Sequence, residues 1–397
     1  MTNYDLRQTR SAPPSYHAVA SGPTGEHPAL TRMFIGHVEL RNRLAVAPMS
    51  RVSTQGDGRA TDEMRRYYAE FAQGGFGLVV TEGTYTDTAY SQAYGRQPGI
   101  ATDEQAAAWA PIVRAVHDGG AAIVLQLMHA GALSQENGYR AHSLGPSAVL
   151  PKGTKMADYG GSGPYSVPRA MTEDDILEVI DGFSRAAKRA RAVGFDGVEI
   201  HGANGYLFDQ FLTTYTNLRA DAYGGGVENR IRLLAEVVDA TVRAAGSGFV
   251  VGVRVSQTKV NDLTYRWPGG VREAEVIFDA LRTAGADYVH VASEGTDWAD
   301  VSRFPEGETV TGVARRVTRR PVIVNGGLHD PAKVAQVLLE GQGDIVSLGR
   351  AALANPDWPL RLARGCSFES FDRAMLHPFA SLENAEQWRS ARARRMW

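Results

Sequence analysis

Near its middle the chain reads Val198-Glu199-Ile200-His201-Gly202-Ala203-Asn204-Gly205-Tyr206, and the rest of the sequence is best interpreted outward from here. The apolar, β-branched run 195–200 is typical of a strand buried in a parallel sheet. It predicts a strand that stops at His201, followed at once by an amide and a phenol. In a barrel of parallel strands the carboxyl ends carry the chemistry, so these three side chains are candidate catalytic residues. The alternative is a set of polar residues satisfied in the core beside a glycine-rich turn.

The three side chains suit one kind of chemistry. His201 and Asn204 both offer N–H donors to a developing anion. The phenol of Tyr206 can give a proton to a carbanion at neutral pH. The sequence therefore predicts a site that stabilises negative charge and delivers a proton.

Strand-like and helix-like segments alternate along the chain. Thr61, Thr102 and Thr172 precede acidic residues, as is usual at helix amino termini. Eight strand–helix pairs predict a single (β/α)₈ barrel, an α/β fold. The alternative, a doubly wound open sheet, lacks the glycine-rich turn that a dinucleotide fold needs after its first strand. The strand candidates are 44–49, 77–82, 121–128, 195–200, 249–255, 286–292, 321–324 and 344–348, and the helix candidates are 62–73, 103–118, 172–193, 228–245, 270–284, 311–318, 330–340 and 356–364.

Three segments fall outside this alternation. Residues 1–30 contain prolines and little apolar periodicity, which predicts a flexible arm before a barrel domain at 31–397. Residues 132–169 form a loop too long for a simple turn, which favours a lid or binding loop. The carboxyl-terminal tail is rich in arginine and is interpreted as a solvated helix, with contact to a second subunit as the alternative. Its marked residues are Arg389, Arg392, Arg394, Arg395 and Trp397.

Composition limits the function. The formal net charge of -2 argues against a nucleic-acid or strongly basic membrane surface. Apolar stretches stay well short of the roughly 20 residues of a spanning helix, and no secretory signal is recognisable. The single cysteine excludes an internal disulfide and a four-cysteine metal or iron–sulfur site. The histidines at 129, 201 and 290 fall on separate strands without metal-site spacing. We expect a cytoplasmic protein without metal, nucleic-acid or membrane partners. Whether it forms a homo-oligomer is left open by the sequence.

Two further strand ends predict a phosphate site. Strand seven ends in Gly326-Gly327, and strand eight ends in Gly349-Arg350. Adjacent glycines before a helix expose backbone N–H groups, and a guanidinium is well suited to phosphate. The loops after strands seven and eight are the recurrent phosphate site of such barrels.

Gln126 and Arg254 indicate what the rest of the ligand is. Gln126 can donate and accept in the plane of a heterocycle, and Arg254 can place positive charge beside an atom that becomes anionic. A flavin needs such a charge when its N1–C2=O region is reduced. A pterin, pyridoxal phosphate or a sugar phosphate are the competing ligands. A salt bridge between Arg254 and Glu199 is the structural alternative.

Several motifs are spread along the chain: Asn42-Arg43-Leu44-Ala45-Val46-Ala47-Pro48-Met49-Ser50-Arg51, Val80-Thr81-Glu82-Gly83-Thr84, His201-Gly202-Ala203-Asn204-Gly205-Tyr206, Asn217-Leu218-Arg219-Ala220-Asp221, Glu228-Asn229-Arg230 and Gly349-Arg350 to Asn355-Pro356-Asp357. Together they resemble the old yellow enzyme family of NAD(P)H:flavin oxidoreductases over roughly residues 33–365. The resemblance implies an FMN enzyme that takes hydride from NADPH or NADH and reduces an electron-poor alkene, an α,β-unsaturated carbonyl or nitro compound, in a ping-pong reaction.

The resemblance also implies residue roles. His201 and Asn204 would bind the electron-withdrawing oxygen of the substrate, and Tyr206 would protonate its α-carbon. The residues expected around FMN are Pro48, Met49, Ser50, Gly83, Gln126, Arg254, Gly326, Gly327, Gly349 and Arg350.

The chain departs from the family pattern at some positions. Ser50 replaces a usual threonine or cysteine, Ala132 a usual arginine, and Met128 a common tryptophan, which we expect to widen that wall. The Met128 departure and the long loop at 132–169 leave open a second interpretation, in which the same FMN barrel catalyses a specialised biosynthetic desaturation or a reduction-coupled rearrangement. Two different classes of protein also stay open: a flavin-binding protein without turnover, and a metal-dependent lyase or aldolase barrel.

Overall fold

Parallel strands close into a ring in the computed structural model, which describes residues 27–293 and 297–395. Eight strands pair in the order Leu44–Val46, Leu78–Val80, Ala122–Met128, Gly197–Asn204, Val250–Lys259, Tyr288–Ala292, Val322–Asn325 and Ile345–Leu348, and the last pairs with the first to complete the circle. The predicted (β/α)₈ barrel is confirmed, and the alternative interpretation, a doubly wound open sheet, is wrong. The strands are β1 (Met33–Ile35), β2 (Val38–Leu40), β3 (Leu44–Val46), β4 (Leu78–Val80), β5 (Thr84–Tyr85), β6 (Ala122–Met128), β7 (Leu144–Gly145), β8 (Arg169–Ala170), β9 (Gly197–Asn204), β10 (Val250–Lys259), β11 (Tyr288–Ala292), β12 (Val322–Asn325) and β13 (Ile345–Leu348).

Helices surround the ring, and local sequence explains where several of them begin. The hydroxyls of Thr61 and Thr102 accept hydrogen bonds from backbone N–H groups of the first turn that follows each. Thr172 and Asp175 form a reciprocal capping box. The helices are α1 (Asp62–Gln73), α2 (Asp103–Asp118), α3 (Glu173–Ala192), α4 (Leu207–Leu212), α5 (Val227–Arg230), α6 (Arg232–Ala245), α7 (Gly270–Thr283), α8 (Trp298–Ser302), α9 (Val310–Thr318), α10 (Pro331–Leu339), α11 (Arg350–Ala354), α12 (Trp358–Arg364) and α13 (Leu382–Arg395).

A hairpin covers the amino-terminal end of the barrel. β1 and β2 pair around the turn at Gly36-His37. Ile35 and Leu40 are buried in one apolar cluster with residues near the beginnings of the barrel strands, among them Ala45 and Leu78. The other end of the barrel is left for polar side chains.

The strand that carries the quoted stretch, β9, and its neighbour β10 are both longer than predicted. β9 runs through His201 to Asn204, and β10 runs to Lys259, where an irregular register pairs Lys259 with Asn204. His201 therefore lies inside a strand and not after it, paired with Arg254 of β10. The predicted helix 228–245 is also divided, into α5 and α6.

Residues 27–30 pack on the barrel, with Ala29 buried and His27 Nε2 2.9 Å from the carbonyl of Pro331. The rest of the predicted arm, residues 1–26, and Trp397 lie outside the described residues. In the tail, Arg389 pairs with Glu70 of α1. No helix of the described part of the chain is long and apolar enough to cross a membrane.

Candidate active site

A cavity of about 920 Å³ opens at the carboxyl ends of the barrel strands. The structure brings every predicted site residue to its wall, although they come from seven strands. They are Pro48, Met49, Ser50, Gly83, Gln126, His201, Asn204, Tyr206, Arg254, Gly326, Gly327, Gly349 and Arg350.

A tight turn holds the three candidate catalytic residues. Asn204 and Gly205 both have left-handed backbone, with φ of 64° and 85°. The Asn204 N–H donates to Ser256 Oγ at 2.8 Å, and the Gly205 N–H donates to Asp209 Oδ2 at 2.6 Å. Tyr206 follows as the residue that immediately precedes α4. Hydrogen bonds from two sides thus fix this conformation, which a non-glycine residue adopts only when its surroundings impose it.

His201 is a neutral hydrogen-bonding group at physiological pH. Burial, reinforced by the charge of Arg254, lowers its pKa to about 3. Its Nδ1 is buried, with no hydrogen-bond partner among the described residues. The imidazole packs edge-on against Tyr206, with ring centroids 5.1 Å apart. A buried and unsatisfied ring nitrogen on a cavity wall is suited to bind a ligand atom.

Arg254 belongs to the cavity floor. Its Nη2 donates to Asn325 Oδ1 at 3.2 Å, and its charge also helps to lower the pKa of Glu199. The guanidinium lines the cavity, and its charge also acts on the buried carboxylate of Glu199.

At the predicted phosphate site the backbone adopts conformations that favour glycine. Gly326 and Gly327 have φ of 125° and 65°, a region that favours glycine. A Cβ on Gly326 would lie 2.7 Å from Ser293 Cβ. Gly349 precedes α11, whose first residue is Arg350. Two glycines and one guanidinium therefore meet at one edge of the cavity.

The long loop forms part of the wall, through Met156, Asp158 and Tyr159. Asp158 joins it to the carboxyl-terminal segment. Its carboxylate lies 2.9 Å from Arg373 Nη2, and its carbonyl accepts from the Ala380 N–H at 2.8 Å. Met128, expected to widen the wall, lies behind Gly83 and is not among the described residues that line the cavity.

Sequence reasoning missed several lining residues. Ser347 stands on β13 two positions before Gly349, so the alternation of β-structure could have identified it. Arg51 lines the cavity and donates from its side chain to the carbonyls of Ala380 and Ser381. The segment 368–380 carries no local signal that would place it there. In the part of the chain that the structure describes, no group of three or more His, Cys, Asp or Glu could hold a metal ion.

These observations fit FMN. The glycine pair with Arg350 is suited to a phosphate, and Gln126 with Arg254 is suited to a ring edge that alternates donors and acceptors. Residues 31–369 match the family described as NADH:flavin oxidoreductase / NADH oxidase. The chain belongs to this family.

The old yellow enzyme family is also the one found among relatives and solved structures. 12-oxophytodienoate reductase 1 of Oryza sativa subsp. japonica is 34% identical over 361 residues, which cover 88% of this chain and 90% of that protein. An old yellow enzyme homologue from Zymomonas mobilis is 30% identical with a TM-score of 0.79, covering 88% and 96% of the two chains. Morphinone reductase in complex with tetrahydroNAD is 32% identical with a TM-score of 0.77, covering 88% and 93%.

Family membership confirms several of the predictions. The chain is a flavin-dependent oxidoreductase of the NAD(P)H alkene reductase family, and its cofactors are FMN and a nicotinamide electron donor. The individual roles assigned to the residues on the wall stay predictions.

Proposed function

We propose that this protein reduces the activated C=C bond of α,β-unsaturated carbonyl or nitro compounds with NAD(P)H. The observation that carries the proposal is the arrangement of His201, Asn204 and Tyr206 on one cavity. The same cavity has groups suited to a flavin ring and a flavin phosphate. The relatives named 12-oxophytodienoate reductase and morphinone reductase support a reduction of this kind.

When bound, FMN would supply hydride chemistry between NAD(P)H and the β-carbon of the substrate, in a ping-pong reaction. The neutral imidazole of His201 and the amide of Asn204 hold the carbonyl or nitro oxygen as it becomes negative. Each such donor typically contributes about 3 kcal/mol to transition-state stabilisation. The phenol of Tyr206 delivers a proton to the α-carbon, which completes saturation of the bond.

Tyr206→Phe tests the proposal by separating the two halves of the reaction. Reduction of the flavin by NADPH should keep its wild-type rate in rapid mixing experiments, because no substrate proton is involved. Reoxidation by cyclohexenone should slow by about 100-fold or more, as expected when a general acid is removed. The proposal would be contradicted if Tyr206→Phe kept the wild-type rate in both half-reactions. It would also be contradicted if no enone or nitroalkene reoxidised the reduced wild-type protein.

A further inference from the structure

A buried carboxylate lies among the strands below the cavity. Glu199 is two residues before His201 on β9, and it is fully buried. Its carboxylate accepts hydrogen bonds from Gln126 Nε2 at 2.8 Å, the Tyr288 hydroxyl at 3.0 Å and His290 Nδ1 at 2.9 Å.

Glycine on the intervening strand permits this arrangement. Gly252 of β10 is paired with both Glu199 and Tyr288. A Cβ at position 252 would lie 2.0 Å from Cζ of Tyr288. The absence of a side chain on β10 therefore lets the phenol cross to the carboxylate from the next strand.

Glu199 is ionised. Burial alone would raise its pKa, but the neighbouring His290, the charge of Arg254 and the hydrogen bond from Gln126 together lower it to about 2. An ionised carboxylate accepts hydrogen bonds and donates none. Gln126 must therefore turn its NH₂ group toward Glu199, and His290 must carry its proton on Nδ1.

The orientation of Gln126 determines what it offers to a ligand. With its NH₂ group on Glu199, the carbonyl oxygen is the group left for the cavity that Gln126 lines. Oε1 is also on the cavity side, 3.5 Å from where a Cβ of Gly83 would stand. Gln126 is thus a hydrogen-bond acceptor toward the ligand.

The hydrogen-bonding roles of His290 and then of Ser347 follow by the same reasoning. Burial lowers the pKa of His290 and keeps the ring neutral, so Nε2 is an acceptor. The Ser347 hydroxyl, 2.8 Å away, donates to it. Its other possible acceptor, the carbonyl of Val324 at 3.5 Å, is too distant to compete. Ser347 lines the cavity, and the lone pairs of its oxygen are left for a ligand.

We propose that Glu199 is a positioning residue that fixes the hydrogen-bond polarity of the cavity floor. It makes acceptors of Gln126 and Ser347, beside the donor Arg254. Gln126 as an acceptor and Arg254 as a donor suit a ring edge on which an N–H stands next to a carbonyl, as N3–H and C2=O do in the pyrimidine part of a flavin. This inference depends on FMN as the cofactor and not on the alkene substrate.

Binding of FMN and of its N3-methyl analogue, which lacks the N3–H, tests the proposal. Wild-type apoprotein should bind FMN about tenfold more tightly than the analogue in fluorescence titrations, as expected for one hydrogen bond lost in a dry site. Glu199→Gln removes the charge and no longer dictates how Gln126 is turned, so this preference should shrink to about twofold or less. The flavin midpoint potential should also rise, because a buried negative charge has been removed.

Two variants make the outcome decisive. Tyr288→Phe removes one hydrogen bond to Glu199 but keeps its charge, so the preference for FMN should remain. Loss of preference in Tyr288→Phe, or an unchanged preference in Glu199→Gln, would overturn the proposal. Gln126→Met, which removes the acceptor directly, should abolish the preference even if Glu199→Gln does not fold. Equal binding of the two flavins by wild-type protein would refute it without any variant.

Discussion

The hydroxyl oxygens of Tyr94 and Tyr206 lie 2.5 Å apart, so the candidate proton donor is hydrogen-bonded to a second phenol. Tyr94 is buried, and its pKa is raised well above the usual value, first by burial and then by the charge that Tyr206 would acquire. A phenol that stays protonated can donate to a phenolate. Tyr94 is therefore placed to stabilise Tyr206 after it has given up its proton.

We predict that Tyr94→Phe slows reoxidation of the reduced enzyme by an enone. The loss should be about 10–100-fold, the usual worth of a hydrogen bond to a charged group, with flavin reduction by NADPH unchanged. Tyr165→Phe is a matched control, because that buried hydroxyl has no hydrogen-bond partner among the described residues and is not among those lining the cavity. If both variants behave alike, Tyr94 has no part in proton transfer.

His201→Ala should weaken the binding of phenols to the oxidised enzyme, because a phenolate resembles the oxygen anion formed during alkene reduction. We expect a loss of about tenfold or more for removal of a hydrogen bond to a charged oxygen. A titration of the visible flavin spectrum with phenol measures it. His117→Ala, which removes a surface histidine paired with Asp196, is the control. Unchanged phenol affinity in His201→Ala would exclude the assigned role.

Arg350→Ala should distinguish FMN from riboflavin, which lacks the phosphate. Loss of a charged hydrogen bond should weaken FMN binding by about 10–100-fold and leave riboflavin binding nearly unchanged. Arg364→Ala, an exposed arginine at the end of α12, should affect neither ligand. Equal weakening of both flavins by Arg350→Ala would mean that the guanidinium supports the fold or the ring and not the phosphate.

Lys259 and Asp209 form a buried ion pair beneath the catalytic turn, with Nζ 2.6 Å from Oδ1 and side chains 2% and 0% exposed. Lys259→Met leaves a buried carboxylate without its partner and should lower the free energy of unfolding by about 3–5 kcal/mol. The double variant with Asp209→Asn should recover much of that loss in denaturant unfolding. Additive losses in the double variant would show that the pair is not coupled.

The buried carboxyl of Glu82 should make the free energy of unfolding depend on pH. Burial raises the pKa of its carboxyl from 4.5 to about 7, against hydrogen bonds from the Arg51 N–H and the Tyr68 hydroxyl. A folded-state pKa above the unfolded value means that stability is lost as pH rises from 4.5 to 7. Glu82→Gln, which cannot ionise, should gain up to about 3 kcal/mol of unfolding free energy relative to wild type across this window. A difference independent of pH would contradict this.

The barrel could be predicted because each strand and helix carries its own local signal. Apolar runs give the strands, and Thr61, Thr102 and Thr172 give helix starts. The extension of β9 to Asn204 could not be predicted, because glycine and polar residues are poor strand formers and this pairing depends on β10. Only the folded chain shows that two strands support each other beyond their apolar parts.

The residues of the cavity wall also fall into two groups, those that the sequence predicts and those that only tertiary contacts position. Residues at strand ends were identified because the topology of a parallel barrel gathers them at one mouth. Tyr94 and the segment 368–380 were not, since they approach the mouth from connections whose path is set by tertiary contacts. The Arg51 guanidinium, bonded to carbonyls some 330 positions later in the chain, is one such contact.

Asp158 connects the long loop to residues 373 and 380 across the opening of the cavity, and Arg373 is largely exposed, with 67% of its side chain accessible. Ions in the solvent screen an exposed pair of this kind. If these two segments separate when a large molecule enters or leaves, added salt should speed ligand exchange without changing the chemistry that follows.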